Sequence, residues 1–211
     1  MSKLVRNGII WVGLSVPQEN TGGRLATFLI IGGARSGKSR FAQALAQKLG
    51  ESVLFVATGA AGDEEMRHRI EEHKKARPAS WRTLEVTTHV GSQILQNIGG
   101  AKAVIVDCIT LLVSNIFGQY SDQTDEQLDT PLIEQKVISE ISELVECIDR
   151  IDASFIIVTN EVGLGLVPAN KMGRAYRDLL GRANQLLAEA ADEIYFMIAG
   201  LPMQVKPARN F

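Results

Sequence analysis

The chain has 211 residues, enough for one globular domain with a sizeable core, and 45% of them are hydrophobic against 22% charged. That balance excludes a disordered chain, and a formal net charge of −2 offers no electrostatic ground for a nucleic-acid partner. No apolar run approaches the roughly 18 residues needed to cross a bilayer.

Residues 1–27 differ from the rest of the chain. They hold an apolar octet, Ile9 to Val16, then Pro17 and the Gly22-Gly23 pair, a turn-rich linker. The octet lacks the basic flank and small-residue cleavage pattern of a signal peptide, so a cytoplasmic location is expected. This stretch reads as a flexible or strand-adding extension, and 28–211 as a single domain.

From Phe28 onward short apolar runs alternate with helical patterns. Phe28 to Ile31 reads as a buried strand and Ser39 to Leu49 as a helix stopped by Gly50. Val53 to Ala57 is a second strand, Asp63 to Lys75 a helix with an acidic start, and Ala103 to Val106 a third strand. The polar stretch Ser121 to Asp129 reads as a loop. Thr130-Pro131 then supplies an N-cap and a first-turn proline for a long helix carrying Val137, Ile141, Leu144 and Ile148. Phe155 to Val158 is a fourth strand and Asn170 to Ala190 another helix. Ile194 to Ile198 with Met203 to Val205 closes the chain as strands, in a hairpin. The alternation predicts an α/β fold with a mainly parallel sheet and helices on both faces. Cys108 and Cys147 belong to no close-spaced metal motif and read as buried free thiols in a reducing compartment.

Between the first strand and its helix lies Gly32-Gly33-Ala34-Arg35-Ser36-Gly37-Lys38-Ser39, which matches G-x-x-x-x-G-K-S at every fixed position. Glycines let the loop turn tightly enough for successive N–H groups to converge on phosphate oxygens, and the helix start adds its positive end. In such a P-loop Lys38 reaches the β- and γ-phosphates and Ser39 ligates Mg²⁺. Asp107 follows the third strand, where an acid faces the ligand crevice and can hold Mg²⁺ or its waters; its alternative role is to cap the next turn. Asn160-Glu161 ends the fourth strand in the same manner, without a defined role. Histidines are scarce: His68, His73 and His89. At helical spacing Met66, Ile70 and His73 share one face, with His68 nearly opposite. His73 is thus an inward residue, either packing or reactive. Its neighbours Lys74, Lys75 and Arg77 either gather around phosphates or complement the helix end.

The P-loop segment Gly32 to Arg40 resembles that of the bifunctional adenosylcobinamide kinase / adenosylcobinamide-phosphate guanylyltransferase family of cobalamin synthesis. So do Arg69-Ile70-Glu71-Glu72-His73-Lys74-Lys75-Ala76-Arg77-Pro78 with Trp81-Arg82-Thr83, the run Val158 to Pro168, and Gly181-Arg182-Ala183-Asn184-Gln185. The resemblance spans about residues 28–206 with its motifs in order. It implies a P-loop NTPase fold and a homotrimer, with ATP or GTP, Mg²⁺ and adenosylcobinamide as the reacting components. It also implies that His73 is a nucleophile that becomes guanylylated, and that Thr58, Gly59, Ala60, Lys74, Lys75, Ala76, Arg77, Glu85 and Asp107 contact nucleotide. Two departures stand out. Glu72 precedes His73 where some members carry a second histidine, and Asp107 stands where members have glutamate. Nothing in the family corresponds to residues 1–27.

The implied chemistry has a kinase step on the cobinamide hydroxyl and a GMP transfer through His73, which must be unprotonated to attack. Transfer is then expected to weaken below about pH 6.5, the ordinary histidine pKa. Two other readings fit the P-loop itself: a small-molecule kinase in which His73 only packs, and a nucleotide-dependent regulatory module.

Overall fold

A computed structural model describes residues 4–6, 9–11, 25–50, 52–60, 64–75, 77–120 and 127–207. Two short strands, β1 (Leu4–Arg6) and β2 (Ile9–Trp11), pair antiparallel as a separate ribbon. The strands β3 (Thr27–Gly32), β4 (Val53–Ala57), β5 (Arg82–Glu85), β6 (Ala103–Asp107), β7 (Ser154–Asn160), β8 (Glu193–Ile198) and β9 (Leu201–Lys206) form one seven-stranded sheet in the order β5-β4-β6-β7-β3-β8-β9. Every pairing is parallel except β8 with β9. The helices are α1 (Lys38–Leu49), α2 (Glu64–Lys75), α3 (Val90–Asn97), α4 (Ile109–Gly118), α5 (Thr130–Arg150) and α6 (Lys171–Ala190).

The inner strands are apolar on both sides, as a doubly covered parallel sheet demands. Successive residues divide between two cores. Phe28 and Ile30 face Phe41, Ala42 and Leu45 of α1, whereas Leu29, Leu54 and Val104 face the apolar stripes of α3 to α6. Fully burying one such aliphatic or aromatic side chain contributes roughly 1.5–3 kcal/mol, so these two layers are the main source of stability.

Two helix starts depart from simple expectation. The long helix begins at Thr130, but Asp129 rather than Thr130 caps it, its carboxylate accepting from the Leu132 N–H at 3.1 Å; Thr130 already lies inside the first turn with Pro131. At α3 the caps come from another helix. Buried Glu140 of α5 accepts from the His89 and Val90 N–H groups at 2.9 and 2.8 Å, and Glu143 accepts from the Ser92 N–H at 2.8 Å. Those bonds satisfy donors that a helix start leaves open, and they clamp α3 to α5.

The hairpin expected at the end of the chain is present as β8–β9. Strand β5 and helices α3 and α4 were not expected. Residues 121–126 of the anticipated polar loop lie outside the described residues.

Candidate functional site

The P-loop sits at the carboxyl end of β3, between the ends of β7 and β8. The strand must stop here because the chain needs open backbone. Gly37 takes φ 94° as the N-cap of α1, a left-handed conformation that glycine adopts without penalty. A Cβ on Gly32 would fall 2.6 Å from the Met197 carbonyl oxygen of β8. The first turn of α1 has no side-chain cap and no acidic residue, so its N–H groups are left to an anion. The loop is propped from the far side by the β8–β9 turn, where the Gly200 N–H donates to the Ser36 carbonyl at 2.9 Å.

Lys38 is buried and folds back over the loop, its Nζ donating to the Gly33 carbonyl at 2.6 Å. Burial pushes its ammonium pKa below the usual value, with Cys108 and Asp107 pulling the other way. A desolvated cation resting on one backbone carbonyl can exchange that bond for one to an anionic oxygen. Ala34 and Arg35 are exposed at the loop tip, and Ser39 is half-buried in the first turn of α1.

Asp107 ends β6, separated from β3 by the single strand β7. Its position is fixed from behind. Thr58, fully buried, donates from its hydroxyl to the Cys108 carbonyl at 2.6 Å and accepts from the Cys108 N–H at 2.8 Å. The Thr58 N–H donates to the Asp107 carbonyl at 3.3 Å, and Asn115 of α4 holds the Thr58 carbonyl at 2.8 Å. The Cys108 thiol is pushed up to about 12 by burial and then by Asp107, so it stays neutral. A serine hydroxyl in the first turn of α1 and a carboxylate at the end of β6 are hard oxygen donors, the kind that Mg²⁺ takes. Ser39 and Asp107 therefore fit that cation.

A second group lies on the β4–β5 side of the same rim. The register sets Glu85 and Asp107 on either side of Ala57. Lys74 of α2 pairs with Glu85 at 2.8 Å, and the Arg77 guanidinium lies 3.8 Å from the centroid of the Phe55 ring. Burial lowers the Arg77 pKa, opposed first by Asp107 and then by Glu85. The Arg77 Nε is buried without a hydrogen-bond partner among the described residues. Lys74, Arg77, Trp81, Thr83 and Glu85 line a cavity of about 240 Å³ there. Gly59 and Ala60 line an adjoining cavity of about 510 Å³, with Glu85 common to both.

Not every expected residue joins these groups. Lys75 is exposed and pairs with Glu72 of its own helix at 3.1 Å. Ala76 and the side chain of His73 lie outside the described residues, although His73 belongs to α2 immediately before Lys74. Of the other two histidines, His68 is exposed and His89 lies against Glu143 at 3.4 Å. His89, Glu140 and Glu143 come together, but their carboxylates are engaged by the start of α3.

The 181–185 segment has a structural job. Asn184 is buried, accepts from the Thr159 hydroxyl at 2.8 Å and donates to the Asn160 carbonyl at 3.1 Å, fixing the end of β7. The residues that sequence reasoning missed are Asn115 and Phe55. Asn115 left a faint signal, the one amide side chain in the mainly apolar stretch Ile109 to Phe117.

Comparison with known proteins finds relatives that match most of the chain. The chain is 41% identical over 181 residues to the bifunctional adenosylcobalamin biosynthesis protein CobU of Salmonella typhimurium, covering 84% of this chain and 98% of that one. It is 40% identical to the CobU protein of Escherichia coli, over 84% and 98% of the two chains, and 40% identical to the CobP protein of Pseudomonas aeruginosa, over 84% and 96%. Among solved structures, a KaiC-like protein from Pyrococcus horikoshii gives a TM-score of 0.44 at 16% identity, over 81% of this chain and 70% of that one. Residues 28–205 match the family model for cobinamide kinase / cobinamide phosphate guanyltransferase, and this chain belongs to that family.

Proposed function

We propose that this protein phosphorylates adenosylcobinamide with ATP or GTP and then transfers GMP from GTP to the phosphorylated product. The observation that carries this reading is the pairing of two anion-facing groups on one rim, the P-loop with Lys38 and the Lys74–Arg77–Glu85 cavity, with Asp107 acting electrostatically on both.

In the kinase step the cobinamide hydroxyl oxygen bonds to the γ-phosphorus as the bond to the β,γ-bridging oxygen breaks, and the hydroxyl proton leaves to solvent. Nucleoside diphosphate is the leaving group. Lys38 and the loop amides from Gly33 to Ser39 stabilise charge on the transferring group. Ser39 and Asp107 would hold Mg²⁺, which neutralises charge on the β- and γ-oxygens when bound. Thr58 acts behind Asp107 by fixing the backbone that carries it.

In the transfer step neutral His73 attacks the α-phosphorus of GTP and pyrophosphate leaves. A phosphate oxygen of cobinamide phosphate then attacks the same phosphorus, the P–N bond breaks, and histidine is regenerated. Lys74 and Arg77 bear on the phosphates and Glu85 orients Lys74. Gly59 and Ala60 leave open backbone beside the purine. The enzyme works in the cytoplasm as a homotrimer, as the family resemblance implies.

The test is incubation of wild type and His73→Ala with α-³²P-GTP, followed by a denaturing gel and a kinase assay. Acid-labile label on wild type alone, with kinase turnover retained by the variant, supports the two-site reading. An unlabelled wild type that still phosphorylates cobinamide reduces the protein to a kinase.

A further inference from the structure

The loop between β7 and α6 takes no part in the chemistry above, yet it begins beside the phosphate cradle. The Glu161 N–H donates to the Gly32 carbonyl at 3.0 Å, directly continuing the β7–β3 ladder. Three aliphatic side chains on it stand in solvent: Leu164 is 80% exposed, Leu166 96% and Val167 67%.

This display does not come from slack backbone. At its start the Gly163 N–H donates to the Glu161 carboxylate at 2.5 Å, and the Gly165 N–H to the Val162 carbonyl at 3.3 Å. At its end Arg174 of α6 donates to the Pro168 and Ala169 carbonyls at 3.1 and 2.6 Å. Asn170 then caps α6 through the Gly173 N–H at 2.8 Å. An apolar patch of a few hundred Å², held away from the core on a loop tied at both ends, is often functional.

Its chemistry selects the occupant. From Val162 to Pro168 no side chain carries charge or a hydrogen-bonding group, so the loop offers nothing to a phosphate or a purine edge. Three aliphatic side chains amount to roughly 300 Å² of apolar surface, less than the apolar share, a little over half, of the ~800 Å² per partner that a stable protein interface buries. The phosphoryl acceptor, in contrast, must reach the mouth of the P-loop in line with the γ-phosphate. Cobinamide joins an apolar, methyl-bearing corrin ring to amide side arms, one of which ends in its hydroxyl. We propose that Leu164, Leu166 and Val167 form the platform on which the corrin ring docks, beside the cradle that receives its hydroxyl. The proposal rests on the cobinamide-kinase reading and adds to it the acceptor-specificity residues.

The experiment compares the full-length wild type with L164S/L166S and with L164M/L166M. It measures KM for adenosylcobinamide and for ATP in the kinase step, together with native mass by analytical ultracentrifugation. The serine variant is expected to raise the acceptor KM by about tenfold or more, with ATP KM and native mass unchanged. The methionine variant, still apolar, is expected to stay within about twofold of wild type. An acceptor KM unchanged in the serine variant overturns the proposal and leaves the kinase assignment standing. A fall in native mass also overturns it, because the loop then joins copies of the chain. A wild type that binds ATP but does not phosphorylate cobinamide removes the kinase reading and the platform together.

Discussion

Thr58→Val isolates the support behind Asp107. Valine keeps the shape of threonine, so no cavity opens in this fully buried position. What disappears is the hydroxyl that both accepts from the Cys108 N–H and donates to its carbonyl. The carbonyl keeps a partner, the Leu112 N–H at 3.2 Å. The Cys108 N–H loses its hydroxyl acceptor, and leaving one such donor unsatisfied costs about 1–3 kcal/mol. For a chain of this length that corresponds to a fall in Tm of roughly 2–12 °C. The same change frees the backbone carrying Asp107, so the kinase rate is expected to fall while the KM for cobinamide stays near wild type. Thr58→Ser keeps the hydroxyl and loses only a methyl group, and its rate is expected to remain close to wild type. The assay is a thermal melt alongside steady-state kinase kinetics for the three proteins. If valine leaves Tm within about a degree of wild type, or if serine and valine slow the reaction equally, the hydrogen-bond argument is wrong.

Lys38→Met is expected to lower the kinase rate on the order of 10²–10³-fold while Tm holds or rises, because it removes an ammonium whose burial already disfavours its charge. A Tm loss comparable to a core truncation would show Lys38 to be structural. His73→Ala is expected to abolish covalent GMP labelling and keep kinase turnover; equal loss of both activities counts against a role as nucleophile only. At Glu143, burial raises the carboxyl pKa, but hydrogen bonds from Ser92 and the His89 neighbour outweigh it, so the folded pKa is lowered from 4.5. Its contribution to stability is therefore present above about that pH and lost as pH falls through the folded pKa. The Tm gap between wild type and Glu143→Gln should accordingly narrow between pH 7 and pH 3.5, and a gap that is constant with pH would remove the charge from the explanation.

Where the pattern was local, sequence reading and structure agree closely. Val53 to Ala57 has the same bounds in both, and the P-loop was legible because glycine, lysine and serine at fixed spacing between a strand and a helix have one well-defined use. The misses share a different cause. The strand β5 has a half-exposed and exposed pattern over Arg82–Glu85 and takes its place from pairing with β4, not from its own apolar content. The helix α3 starts at His89 without a capping side chain of its own, and Glu140 and Glu143 arrive from some fifty residues away. The bonds of the Thr58 hydroxyl to the Cys108 backbone were equally hidden, since they join residues fifty positions apart.

The position of β3 has a consequence for how the cradle comes into being. It is the first strand of the large sheet to leave the ribosome, yet its two neighbours are β7 and β8, and the turn that props Ser36 belongs to Gly200. The loop signature is thus written early in the chain while its shape depends on residues made almost last. Until those segments emerge, β3 has two bare edges and the glycine loop has no support. Such long-range closure slows folding and leaves a nascent strand open to wrong partners. A translation pause before β7 would lengthen that interval, whereas one after β9 would not.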